Sequence, residues 1–312
     1  MDKLQAMRSF VAIVDHGSLT AAAAALDRSL PAMVRTLAAL EESLGTRLLR
    51  RTTRRMSLTA EGQGYLERCR RILGDIEEAE ASLTRAQIEP RGQLRMTAPV
   101  LFGQMHVAPA VSEFLRSFIE VQVELLLLDR VVNLVEEGID LAIRIAHLTD
   151  STMVAVPVGR VRRVVCASPA LLRTEGIPGH PRELSDRPCV RFRGINPGDS
   201  WAFQDRGREF SVRTRGNFTC NQAAAAAQAC AEGLGFGMFL SYQVEPLVRA
   251  KRLEVVLVDF EPAPLPVSLV YPEARLISTR LRALLDWLKQ ALGARPEIRS
   301  SRDVTTFVPN DT

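Results

Sequence analysis

The chain has 312 residues, long for one ordinary domain, and its 46% apolar and 24% charged content is that of a globular protein with ample core. Its longest apolar runs are alanine stretches far short of the ~20 residues of a membrane span, and Met1-Asp2-Lys3 opens no signal-peptide pattern, so a cytoplasmic protein with no membrane partner is expected. The net charge of +4 resides in the first 55 residues, with nine basic and five acidic groups, while the remainder balances 31 against 31, so a polyanion would meet a positive N-terminal module on a neutral body.

Leu4, Met7, Val11 and Val14 recur at helical steps and predict a first helix with one buried stripe, broken at Asp15-His16-Gly17. Ser18 or Thr20 can cap a second helix through Leu26, whose alanines favour helix and close approach. Ser29 reads as the N-cap of a third helix, with Pro31 in its first turn, an inward stripe of Met33, Leu37, Leu40 and Leu44, and Gly45 as terminator. Leu30, Ala32, Val34, Arg35 and Thr36 then include the outward positions that a recognition helix offers to the major groove. Leu48 and Leu49 anchor the next segment. Arg50-Arg51-Thr52-Thr53-Arg54-Arg55 followed by Met56-Ser57-Leu58 fits a two-stranded wing. Five arginines, counting Arg47, fall there within nine residues. An isolated basic run is usually a solvated surface, but after a helix-turn-helix pattern it points to phosphate contact along the backbone or in the minor groove. Candidate DNA contacts are therefore Ser29, Leu30, Pro31, Ala32, Val34, Arg35, Thr36, Arg50, Arg51, Thr52, Arg54 and Arg55.

The residues Gly17-Ser18-Leu19-Thr20-Ala21-Ala22-Ala23, Ser29-Leu30-Pro31-Ala32, Leu40 to Arg54, and Leu58-Thr59-Ala60-Glu61-Gly62 together resemble the DNA-binding domain of LysR-type transcriptional regulators. Two positions depart from that family. Leu30 and Val34 stand where glutamine and serine are common, and apolar side chains can touch a thymine methyl but make no bidentate base contact. Specificity is therefore expected to lean on Arg35, Thr36, the wing and DNA shape.

From Thr59, a plausible N-cap, a helical pattern runs to Pro90, interrupted only by Gly62, Gly64 and Gly74. Tyr65, Cys69, Ile72, Ile76, Ala79, Leu83 and Ala86 alternate at four- and three-residue steps, a heptad seam that predicts dimerisation; the alternative is one amphipathic helix packed on its own domain. The resemblance implies a homodimer through this helix or a homotetramer, and RNA polymerase as a further partner.

Beyond the hinge Glu89-Pro90-Arg91-Gly92, strands are predicted at 94–98, 121–128, 139–145, 164–167, 210–219, 236–240 and 264–270. Helices are predicted at 107–118, 131–137, 222–232 and around Leu276 to Leu288, implying βαβ units about a parallel sheet. The run Asp129 to Arg144 is typical of the same family, whose effector half looks like a periplasmic binding protein, and Ile119 replaces a usual proline there. The expected fold is thus α/β with an N-terminal all-α winged helix-turn-helix, a long linker helix, and a two-lobed periplasmic-binding-protein-like effector domain. Its divisions are 1–58 for the winged helix-turn-helix, 59–89 for the linker, 92–162 completed by 265–292 for lobe I, 163–264 for lobe II, and a disordered tail at 293–312.

Ligands of two-lobed α/β folds sit between the lobes. Candidate effector contacts are Thr97, Pro99, Phe102, Asp129, Arg144, Ile145, Phe218, Asn221 and Phe236. Thr97, Pro99 and Phe102 follow the first strand, where backbone N–H groups can meet an anion. The alternatives are that Arg144 pairs with Asp129 or Glu124, that Asn221 only caps a helix, and that the three phenylalanines belong to the core. An arginine among small polar groups favours a small carboxylate or other anion as effector.

An enzyme is disfavoured because phosphate-loop, dinucleotide, nucleophile-elbow and zinc-protease motifs are all missing. Asp15-His16 falls at a helix end, and Gly233-Leu234-Gly235 enters a strand instead of leaving one. A secreted solute-binding protein is opposed by the basic N-terminal module. Five cysteines and four histidines are scattered without metal spacing, so no cofactor or metal is expected and the thiols read as structural, with oxidant sensing the alternative.

Overall fold

The computed structural model describes residues 1–51, 56–83, 89–147, 153–194, 198–273, 277–296 and 298, with the backbone alone at 51, 75, 77–79 and 81–83. The chain divides into two compact units: Met1–Gln93 with Glu120–Gln122 and Ser278–Arg280, and Leu94–Ile119, Val123–Ile277 and Leu281–Thr312.

In the first unit, α1 (Lys3–Asp15) begins where the Asp2 carboxylate accepts from the Gln5 amide. Helix α2 (Leu19–Ala25) begins at Ser18 and not at Thr20, with the Ser18 hydroxyl accepting from the Ala21 amide. Helix α3 (Leu30–Leu44) starts at Ser29 with Pro31 in its first turn and stops at Gly45, where φ is 64°. The α1 stripe is rotated from the expected one: Ala6, Met7, Phe10 and Ile13 are buried, while Leu4, Val11 and Val14 only flank them. Strands β1 (Leu49–Arg51) and β2 (Met56–Leu58) pair antiparallel, with Leu49 opposite Leu58 and Arg50 opposite Ser57. Helix α4 (Ala60–Leu83) is capped by Thr59, whose hydroxyl accepts from the Gly62 amide at 2.9 Å.

The heptad seam is corrected at its start. Cys69 is fully buried in the core of this same unit with Leu66 and Leu73, and Tyr65 packs at its edge, whereas Ile72 is exposed. Spacing of three and four fixes a helix face but not its partner, and α1 supplies a partner for this stretch. Burial also raises the Cys69 thiol pKa to about 11, so it remains a protonated apolar filler. The side chains of Ala79 and Leu83, and Ala86 entirely, lie outside the described residues.

The second unit runs β3 (Gly92–Ala98), α5 (Val100–Phe102), a π turn at Gly103–Val107, α6 (Ala108–Ser117), β4 (Val121–Leu127), β5 (Leu141–Ile145) and β6 (Met153–Val161). It continues as β7 (Arg163–Ala167), α7 (Pro169–Glu175), β8 (Pro188–Phe192), β9 (Ser200–Asp205), β10 (Arg208–Arg213), β11 (Arg215–Cys220), α8 (Ala223–Ala231), β12 (Phe236–Leu240), α9 (Ser241–Arg249), β13 (Glu254–Val256), β14 (Leu265–Pro272) and α10 (Thr279–Gly293). Two five-stranded sheets result, ordered β4-β3-β5-β14-β6 and β11-β8-β12-β7-β13. The chain passes from one to the other at Arg162 and returns between Val256 and Leu265.

Three expectations change here. The sheets are mixed: β3 and β5 run parallel, but β14 is antiparallel to β5 and β6, as β7 is to β12 and β13. Residues 134–138 form turns instead of a helix, with Asn133 accepting from the Val135 and Glu136 amides and Gly138 at φ 63°. A short Asn-led segment ending in glycine satisfies its backbone as an Asx turn just as well. The tail expected at 293–312 begins folded: Ile298 is fully buried and its carbonyl accepts from the Arg160 amide at 2.7 Å. Residues 299–312 lie outside the described residues. Gly159 admits this turn, because a Cβ there would meet Ile298 Cγ2 at 2.2 Å.

Candidate nucleic-acid interface and effector cleft

At the start of α3 the Ser29 hydroxyl is spent on the Ala32 amide at 3.4 Å, so the exposed groups that follow do the reaching. Leu30 is 42% exposed, Pro31 and Arg35 are exposed, and Ala32, Val34 and Thr36 are half-buried. Leu30 is not among the residues that form or flank the core of its unit. Arg50 is exposed on β1, and only the backbone of Arg51 is described; Thr52, Arg54 and Arg55 lie outside the described residues.

What the sequence left unnoticed is Glu41. Its side chain is 4% exposed, its Oε1 accepts from the amides of Leu48 at 2.8 Å and Leu49 at 3.1 Å, and its Oε2 accepts from Arg47 at 3.2 Å. One carboxylate on the third helix therefore holds the first residues of the wing. Arg47, counted with the basic run, is partly neutralised by this pair, whereas Arg50 is exposed on β1.

In the second unit, β3, β4 and β5 bring Pro99, Asp129, Arg144 and Ile145 to one end of their sheet, with Leu128 donating to the Ala98 carbonyl at 2.9 Å. At the matching end of the other sheet lie Asn221 after β11 and Tyr242 after β12. These ends meet through aromatics: Phe102 and Tyr242 pack edge to face at 5.1 Å, and His106 packs against both at 4.9 and 5.7 Å. Tyr242 is 1% exposed; burial, and secondarily Asp129, raises its hydroxyl pKa well above the usual phenol range.

Several predicted contacts take other roles. The anion position at the helix start is already filled, since Asp129 Oδ1 accepts from the Val100 amide at 2.9 Å. Arg144 pairs with neither Asp129 nor Glu124; its guanidinium donates to the Val132 carbonyl at 2.9 Å, and burial lowers its pKa, with Glu137 opposing. Glu124 instead binds Arg95, and Glu137 binds Arg130. Asn221 is exposed and is not the cap of α8, where Gln222 holds that place without a side-chain hydrogen bond. Phe236 is fully buried at the amino end of β12, the far end from Asn221, with the Arg187 guanidinium 5.7 Å from its ring centre. It belongs to the core. Thr97 is 3% exposed and Phe218 half-buried, each within its strand.

A winged helix-turn-helix with a basic hairpin, followed by a two-lobed α/β domain, is the architecture of a ligand-regulated DNA-binding protein. The family model for the bacterial regulatory helix-turn-helix protein of the lysR family matches residues 4–63, and that for the LysR substrate binding domain matches residues 87–293. The chain belongs to the LysR family of transcriptional regulators. It is 34% identical over 302 residues to a transcriptional repressor of Pseudomonas aeruginosa, covering 96% of this chain and 95% of the repressor. The activator TtdR of Escherichia coli is 30% identical, covering 93% and 95%. Among solved structures, the LysR-type regulator CrgA of Neisseria meningitidis superposes with a TM-score of 0.59 at 29% identity, covering 93% of this chain and 98% of CrgA. The protein is thus a DNA-binding transcriptional regulator with an effector-binding domain, of a family that binds small molecules and forms oligomers. No helix among the described residues is long and apolar enough to cross a membrane.

Proposed function

We propose that the protein is a cytoplasmic, nucleoid-bound regulator without catalytic activity, which binds operator DNA as a homodimer or homotetramer and acts on RNA polymerase. Residues 1–58 read DNA, 59–89 pair protomers, and the lobes 92–162 with 265–292 and 163–264 take the effector. The DNA contacts are Ser29, Leu30, Pro31, Ala32, Val34, Arg35, Thr36, Arg50, Arg51, Thr52, Arg54 and Arg55. What carries this reading is the exposed start of α3, with Leu30 at 42%, in the same unit as a hairpin bearing Arg50. Apolar Leu30 and Val34 suit thymine methyls, which places more of the affinity on the arginines. In gel shifts over a salt series, Arg51→Ala with Arg54→Ala lowers operator affinity and reduces the log–log salt slope by about 1.8, because each phosphate that an arginine neutralises contributes ~0.9. Unchanged affinity and slope would remove the wing from the interface.

The effector lies between the carboxyl ends of the two sheets, near Thr97, Pro99, Asp129, Arg144, Ile145 and Asn221; Phe102 is fully buried against Tyr242 and His106, and Phe218 is half-buried in its strand. A small carboxylate is the first reading, and it takes the Val100 amide from Asp129. The Asp129 carboxylate at that amide favours a second reading, a ligand that brings a cation or hydroxyl donors. Thermal shift with Asp129→Asn separates them. Higher affinity for carboxylates in the variant supports the first, and loss of binding to an amine-bearing ligand supports the second.

A further inference from the structure

The chain joins its two sheets twice, and one ion pair ties the two joints together. Arg162 is the single residue between β6 and β7, and Glu261 lies on the return segment between β13 and β14. The Arg162 guanidinium stands 3.5 Å from Glu261 Oε2, with side chains 23% and 12% exposed. The Arg162 backbone is pinned as well: its amide donates to the Ser241 hydroxyl at 3.3 Å and its carbonyl accepts from the Ser241 amide at 2.9 Å. On Glu261 the other oxygen, Oε1, is buried with no hydrogen-bond partner among the described residues. A charge-assisted hydrogen bond is usually about 2.7–2.9 Å, so this pair gives incomplete return for taking a carboxylate out of water.

We propose that Arg162 and Glu261 form a proton-operated latch on the inter-lobe hinge: the ionised pair holds the two crossings together, and protonation of Glu261 releases them.

Burial raises the Glu261 pKa from 4.5 to about 7, with Arg162 opposing the rise. Arg162 is the one charge among the described residues that acts on it. Of the nearby charges, Arg160 is exposed on β6, Arg163 on β7 faces Glu209, and Asp259 is exposed on the return segment itself. Ser241, at the start of α9, is uncharged. A raised folded pKa means that the folded chain holds this proton more tightly than the unfolded chain. The stabilisation from this group is therefore complete below pH 4.5 and lost as pH rises through about 7. Global stability and hinge tightness thus respond in opposite directions, because the charge that costs burial is also the charge that closes the latch. The latch needs no effector.

Hydrogen exchange on the full-length chain without effector tests it, read at residues 160–163 and 257–265 and corrected for intrinsic rate. Wild-type protection should be at least threefold lower at pH 6 than at pH 8, while Glu261→Gln stays at the low value at both and unfolds at a higher urea concentration than wild type at pH 8. Equal or greater protection at pH 6 in the wild type, or an unaltered pH dependence in Glu261→Gln, overturns the proposal. Arg162→Gln keeps the carboxyl but removes its cation, so protection should stay at the low value at both pH 6 and pH 8; wild-type protection at pH 8 in this variant also overturns it.

Discussion

Glu41→Ala should destabilise the N-terminal module by about 2–4 kcal/mol and abolish operator binding, because it strands the Leu48 and Leu49 amides in residues only 1% and 5% exposed. The magnitude follows from asymmetry. A buried N–H without a partner costs roughly 1–3 kcal/mol, whereas the Arg47 ion pair, 79% exposed on the arginine side, contributes at most about 1 kcal/mol. Arg47→Ala should therefore leave the midpoint of urea unfolding nearly unchanged, and Glu41→Gln, which keeps one acceptor oxygen, should fall between. Circular dichroism against urea gives the stability, and gel shift gives the binding. If Glu41→Ala unfolds like Arg47→Ala, the carboxylate's hold on the wing is not what stabilises it.

Such a residue shows why the first unit was only partly legible. Ser18, Ser29, Gly45 and Thr59 could be placed because caps obey rules that act within four residues of chain. Glu41 follows no such rule: beside Glu42 on a helix it looks like a solvated charge, and its partners lie seven and eight residues away. The linker failed differently. The spacing of Tyr65 and Cys69 is right for a buried stripe, but the stripe is Leu66, Cys69 and Leu73, and its partner is α1. In the second unit β6 (Met153–Val161) carries Pro157, a residue that periodicity does not read as strand, and the strand tolerates it at the sheet edge. Pro99 and Arg144 are legible as residues at strand ends, because ends follow from periodicity. Their partners do not, since whether Arg144 meets Asp129 or the Val132 carbonyl depends on a turn that periodicity had drawn as a helix.

Gly62→Ala should destabilise the same junction that Glu41 secures, against the helix propensity that would ordinarily reward it. Leu48 is gripped on every polar side: its amide donates to Glu41, and its carbonyl accepts from the Thr59 amide at 3.0 Å and the Thr59 hydroxyl at 3.2 Å. That grip brings the first turn of α4 so close that a Cβ on Gly62 would stand 2.0 Å from the Leu48 oxygen and 2.8 Å from its carbonyl carbon. Replacing glycine by alanine inside a helix gains up to about 1 kcal/mol, but forcing apart backbone that is hydrogen-bonded from both sides costs roughly 1–3 kcal/mol or more. The clash wins. Gly64 supplies the control, since nothing lies within 4 Å of its added Cβ, and Gly64→Ala should stabilise the module by about 0.5–1 kcal/mol. Two glycines of one helix, two residues apart, thus move the urea midpoint in opposite directions. A Gly62→Ala chain that is as stable as Gly64→Ala would mean that the wing is not held against the linker helix, and with it would go the reason for expecting operator affinity to depend on Glu41.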